Sequence, residues 1–138
     1  MGPHRMNDSA RATLTAITPF FIVRDLPASI AFYRDRLGFR LTFAAPEDAP
    51  FFGILARDEV QVMLKCIGPD VHAIPNPTQH AWARWDAFVH TDDPDGLALE
   101  FESNGVTLHT PVSDTDDGLR GLELRDPDGY VLFFGHPR

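Results

Sequence analysis

The stretch VRDLPASIAFYRDRLGF, Val23 to Phe39, ends an apolar run that begins at Ile17 and opens a helix at Asp25. Asp25 is a good N-cap and Pro27 fits the first turn. Ile30, Tyr33 and Leu37 then recur as an apolar stripe at i, i+3 and i+7. Gly38 ends the helix, where a residue free to adopt positive φ is wanted. Beyond it, FRLTF, FFGILA and VQVMLKC read as three strands, the last two joined by a polar turn around Asp58. The order is β-α-β-β-β.

The same pattern returns later in the chain. A shift of 67 residues lays Asp25 on Asp92, Pro27 on Pro94, Ile30 on Leu97, Gly38 on Gly105 and Leu41 on Leu108 without a gap. The segment from Trp85 to Thr110 thus reads as strand, acidic cap, helix, glycine and strand, and GLRGLELR and GYVLFFG supply two more strands. Pro75 and Pro77 exclude a helix interior between the halves and suit a linker. The expected division is a mobile tail over 1–15, module one over 16–67, a linker over 68–80 and module two over 81–137, all in one domain. One helix covers only one face of each sheet, so two such units side by side curl into a cup. The fold expected is α+β, two tandem βαβββ modules forming a curved-sheet cup.

Composition narrows the partners. The 138 residues carry a formal charge of −8, with a single lysine, Lys65, and scattered arginines. That balance argues against nucleic acid, whose phosphates are met by clustered Lys and Arg, and attracts cations by long-range steering. Many proteins are this acidic without any such partner. No run approaches the roughly 18 apolar residues of a membrane span, so no membrane partner is expected. One cysteine, Cys66, cannot form an internal disulfide, which makes a reducing cytoplasm the default.

VRDLPASIAFYRDRLGF together with RDPDGYVLFFG, Arg125 to Gly135, resembles the vicinal oxygen chelate superfamily: glyoxalase I, extradiol dioxygenases, fosfomycin-modifying enzymes and bleomycin resistance proteins. In its metal-using members the resemblance implies one ligand on each first strand and one on each last strand. Carried over, these positions fall on Thr18, on Asp86 (or Trp85 in the neighbouring register), on Met63 with Gln61 and Lys65 on the same face, and on Phe133. A glutamate stands at the last of these positions in the metal enzymes. Thr, Met and Phe do not give the converging N or O donors that a divalent cation needs, so no metal or other cofactor is expected.

Strand alternation gives the lining of the cup instead. Phe20 and Ile22 share a face with Thr18, Phe88 and His90 with Asp86, and Val131 and Gly135 with Phe133. For any single Phe, filling a core is the simpler reading; for the set, the fold favours a small-molecule site. Trp82 and Trp85 beside Asp86 are suited to hold a planar or cationic guest by stacking and cation–π contact, or simply to pack. Asp86 has two other uses open to it, pairing with Arg84 or capping a turn. His90 is more simply a core or edge histidine than a base. The acidic stretch SDTDDG lacks the spacing of a calcium loop and reads as a solvated loop, and DPDG, Asp126 to Gly129, as turn chemistry whose aspartates bond the local backbone.

The leading expectation is a metal-free binding protein of the bleomycin-resistance type. It would sequester an amphiphilic or cationic small molecule, with Phe20, Trp82, Trp85, Asp86, Phe88, His90 and Phe133 as contacts. The alternative is an enzyme of the same superfamily, using acid–base chemistry or a displaced metal site on Asp86 and His90. A homodimer is expected, since related proteins often complete their cups across a two-fold interface and each module leaves a sheet edge uncovered.

Overall fold

The structure, a computed structural model, describes residues 10–138; most of the expected tail over 1–15 lies outside the described residues. Strands β1 (Phe20–Ile22), β2 (Arg40–Ala45), β3 (Phe52–Arg57) and β4 (Val60–Lys65) form one sheet in the order β1-β4-β3-β2. β5 (Ala87–His90), β6 (Thr110–Asp114), β7 (Leu119–Arg125) and β8 (Val131–Pro137) form a second, in the order β5-β8-β7-β6. In each, the first strand lies parallel to the last and the other pairs are antiparallel, as a β-α-β-β-β connection requires.

Helix α1 (Leu26–Ala31) is capped by Asp25, whose carboxylate accepts the Ala28 N–H at 3.1 Å. The stripe Ile30, Tyr33 and Leu37 is buried, but the helix loosens at Phe32 into a π-helical turn, Phe32–Arg36. Leu37 N there bonds Phe32 O, five residues back. Helix α3 (Pro94–Ser103) is capped by Asp93, not by Asp92 as the 67-residue shift implies, and Pro94 stands one place nearer its cap than Pro27 does. Gly38 and Gly105 both take the left-handed conformation, at φ +78° and +87°, as helix-ending glycines should.

The two helix ends are tied to each other. Arg57 donates to Leu37 O at 2.8 Å and grips both carboxylate oxygens of Glu100 on α3 at 2.8 and 3.0 Å. Arg36 donates to Gly105 O at 2.7 Å, and Asn104 Nδ2 returns a bond to Arg36 O at 3.1 Å. Carbonyls left over at one helix terminus are thus met by side chains of both modules. A single core runs through both units, from Phe21, Leu26, Leu55 and Leu64 to Phe101, Leu122, Leu132 and Phe134. Each such side chain stabilises the fold by roughly 1.5–3 kcal/mol on burial.

Two sequence readings need correction. VTLH after Gly105 is not yet strand; β6 begins at Thr110 and contains Pro111. A strand with a residue that has no N–H to give belongs at a sheet edge, which is where β6 lies. The segment between the sheets also holds one helical turn, α2 (Asn76–Gln79), begun after Pro75 with Pro77 in its first turn, where proline is tolerated.

Candidate functional site

Alternation separates the two faces of each sheet. Leu55, Val62 and Leu64 of the first sheet and Leu122, Leu124, Leu132 and Phe134 of the second point into the core. Their neighbours along the strands therefore point to the opposite, outer faces. On the second sheet, register pairs Phe88 with Phe133, His90 with Gly135 and Glu123 with Phe133, which places these side chains together on that face.

Phe133 anchors this face. Its ring meets Phe88 at 4.8 Å and Trp85 at 5.3 Å between centroids, and only 2% of it is exposed. Trp85 meets Phe88 edge-on at 5.2 Å, and Phe88 meets the His90 ring at 4.5 Å. Room for the Phe133 ring is made by two glycines paired across the strands, Gly121 and Gly135: a Cβ built at Gly135 would stand 2.7 Å from Phe133 Cε2. The apolar strand YVLFF therefore puts a ring, cradled by glycines, at the position where the resemblance implied a carboxylate ligand.

Where the first sheet meets β5, a crevice of about 450 Å³ opens, within the range of small-molecule sites. Thr18, Glu59 and Gln61 line one side, and Asp86, Phe88 and His90 the other. A smaller cavity of about 100 Å³ lies between Phe39, Val60, Val89 and Phe101, and Arg57 and His90 also line it.

The seven residues singled out from the sequence divide three ways. Asp86, Phe88 and His90 line the crevice, and Trp85 and Phe133 back it as part of the ring cluster. Phe20 stands half exposed on the outer face of the first sheet, stacked on Phe52 at 6.1 Å. Trp82 is apart from the others, 87% exposed beside His80. Sequence reading passed over Glu59 at the crevice and Phe43 and Phe52, which extend the aromatic row from Phe20. Alternation along FRLTF and FFGILA was the signal for the last two.

The polar groups are already engaged. Asp86 Oδ1 accepts the Asn76 N–H at 2.7 Å and Oδ2 the Val131 N–H at 2.9 Å, so this carboxylate fastens the inter-sheet segment to β8. It does not pair with Arg84. Arg84 lies over the Trp85 ring at 4.8 Å and bonds Asp117 at 2.6 Å, occupying the face on which a cationic guest would stack. Hydrogen bonds from Thr115 and then Arg84 hold the Asp117 carboxyl below its ordinary range. The Trp85 indole N–H is buried with no hydrogen-bond partner among the described residues.

The implied metal set does not fit these residues. Thr18, Met63 and Phe133 bring no strong donor, which leaves Asp86, whose oxygens each already accept a backbone N–H, as the one carboxylate of the implied set. Asp86 and His90 alone fall short of the three or four donors that a divalent cation needs. Among the described residues no group of three or more His, Cys, Asp or Glu side chains is placed to hold a metal ion, and no helix is long and apolar enough to cross a membrane.

A family model, the Glyoxalase/Bleomycin resistance protein/Dioxygenase superfamily, matches residues 13–134. Among solved structures the chain is similar to TioX from Micromonospora sp. ML1, at TM-score 0.69 and 19% identity over 90% of this chain and 99% of that one. It is also similar to the bleomycin-binding protein from bleomycin-producing Streptomyces verticillus, solved with copper(II)-bleomycin, at TM-score 0.67 and 22% identity over 93% and 100%. TnmS3, an antibiotic binding protein from Streptomyces sp. CB03234, gives TM-score 0.66 and 21% identity over 92% and 100%. At these identities the likeness is one of fold. No curated protein matches the chain in sequence.

Proposed function

The chain belongs to the Glyoxalase/Bleomycin resistance protein/Dioxygenase superfamily, and from that premise we propose that it is a binding protein that sequesters a small amphiphilic molecule against an aromatic wall without using a metal. The observation that carries this reading is Phe133: a ring packed with Trp85 and Phe88 over two glycines stands where catalysis by a bound metal would need a carboxylate. The crevice beside it has the size and mixed lining of a small-molecule site, and Phe88 and His90 form its ring-bearing wall. Solved neighbours described as bleomycin-binding and antibiotic-binding support sequestration as the use of such a wall.

The chain acts as a homodimer in this reading. The outer face of the first sheet leaves Phe20 and Phe43 half exposed, and a second copy laid along it would turn an open wall into a cup. The single free thiol, Cys66, suits a reducing cytoplasm.

Thermal-shift and calorimetric screening of planar antibiotics, with metal analysis of the purified protein, tests the proposal. A stabilising ligand with no stoichiometric metal supports it, and Phe88→Ala should weaken that ligand at least tenfold, given what a buried aromatic contact contributes. Stoichiometric zinc, iron, nickel or manganese, or turnover of a metabolite that stops in His90→Ala, would replace it with the enzyme reading, which the position of His90 at the crevice favours.

A further inference from the structure

The outer face of the first sheet has a charge pattern unlike the rest of the chain. Register places Phe20, Met63, Ile54 and Phe43 in one row across its four strands, and Lys65 in the next row between Ile22 and Phe52. The Phe52 ring lies 6.1 Å from both Phe20 and Phe43, which are 51% and 50% exposed. No Asp or Glu occupies any register position of this face, whose two charged residues are Lys65 and, at the far edge opposite Ala56, Arg40; the carboxylate of Glu59 stands at the crevice end, six residues before Lys65. In a chain with 20 acidic residues against 12 basic ones, such a face stands out.

Lys65 is the chain's one lysine. It is half-buried, its ammonium lies 5.7 Å from the Phe51 ring centroid, and no carboxylate pairs with it among the described residues. Its stem lies along ring-bearing surface while the ammonium has no counter-ion there among the described residues. An incoming anion therefore finds a charge-assisted hydrogen bond ready to form. The net charge of −8 opposes this only weakly, because charges farther than about 8 Å away are screened at physiological salt. The face continues from the crevice through Gln61, and four strand residues of roughly 3.3 Å each put Lys65 about 13 Å beyond it, the length of a fused polycycle.

We propose that this face selects aromatic compounds bearing an acidic group, with the rings on Phe20, Phe43 and Phe52 and the acid on Lys65. The inference rests on the sequestration reading and adds the sign of the ligand's charge. Two dyes test it: 1-anilinonaphthalene-8-sulfonate and N-phenyl-1-naphthylamine share a ring system and differ by the sulfonate. The sulfonate dye should bind about tenfold tighter, as one charge-assisted bond provides. That advantage should shrink as salt rises. Lys65→Met should abolish the advantage and leave the neutral dye within twofold, while Lys65→Arg should keep it.

Equal affinities in the parent protein, or an advantage that survives Lys65→Met, would overturn the inference and leave sequestration standing. A second copy that roofs the face as a cup leaves this row open; binding of both dyes that weakens as protein concentration rises would show the second copy filling the row instead, and would overturn the inference too. If neither dye binds, nor any antibiotic in the screen above, sequestration itself fails and this inference with it.

Discussion

The Tyr33 phenol donates a 2.8 Å hydrogen bond to Asp126 Oδ2, joining the first helical segment to the turn that launches β8, with both groups buried. Asp126 Oδ1 accepts the N–H groups of Asp128 and Tyr130 at 2.9 and 3.0 Å, which is turn chemistry as its sequence implies. Asp128 reaches the other module, accepting from Arg24 N at 2.9 Å and from the Ser29 hydroxyl at 3.3 Å. The turn that the sequence marks as local is a clasp between the modules.

Asp126 should make stability depend on pH. Burial pushes its carboxyl from 3.8 up to about 6, against the lowering effect of its three hydrogen bonds, and burial beside Asp126 pushes the Tyr33 phenol up as well. Between these values the folded chain binds more protons than the unfolded one. The contribution is therefore full below pH 3.8 and lost as pH rises through about 6. Urea unfolding from pH 4 to 7 should show the parent protein losing up to roughly 3 kcal/mol relative to Asp126→Asn. Parallel pH profiles would contradict a raised carboxyl.

Arg57→Met should destabilise by about 1–2 kcal/mol, a few degrees in Tm, because it strips Leu37 O of its donor and leaves Glu100 without its partner. Glu100→Gln should cost less, within about 1 kcal/mol, since the pair is partly open to solvent and screened. Scanning calorimetry of both variants orders the two effects.

Gly135→Ala should destabilise by about 3 kcal/mol or more, because its Cβ would collide with Arg120 O and the Phe133 ring, neither free to move within the ladder. Gly68→Ala, with nothing within 4 Å of its Cβ, is the matched control and should stay within about 0.5 kcal/mol. Equal melting temperatures would show that the cradle is not tight.

Phe133→Glu restores the carboxylate of the metal enzymes at that position. It should cost about 3 kcal/mol or more, by opening the ring cluster and burying a charge, and should recruit no metal, since Thr18 and Met63 still bring no strong donor to the other positions that the metal enzymes use. Calorimetry and metal analysis of the variant read the two outcomes separately.

The repeat, the caps at Asp25 and the prolines, the glycine ends and the alternation of YVLFF were legible in the chain because each acts over a few residues, at spacings that backbone geometry fixes. The same locality explains the misplacements: the cap on Asp93 and the late start of β6 are shifts of one and four residues, the scale at which neighbouring side chains arbitrate. Which of the seven candidate residues face one another was not legible. Trp82 and Trp85 stand three residues apart, yet one is solvent-exposed and the other is wedged between Arg84 and Phe133.

By itself the sequence determined the βαβββ repeat, the inward and outward sides of each strand, and the aromatic residue at position 133. Tertiary structure alone decided that Asp86 joins two segments through backbone N–H groups, that Arg84 covers Trp85, that DPDG clasps the two modules, and that Lys65 stands on a ring-lined face with no carboxylate paired to it among the described residues. The first set follows from periodicity along one strand or helix, while the second depends on groups brought together from 10 to 104 residues apart in several cases, and only the packed core fixes those distances.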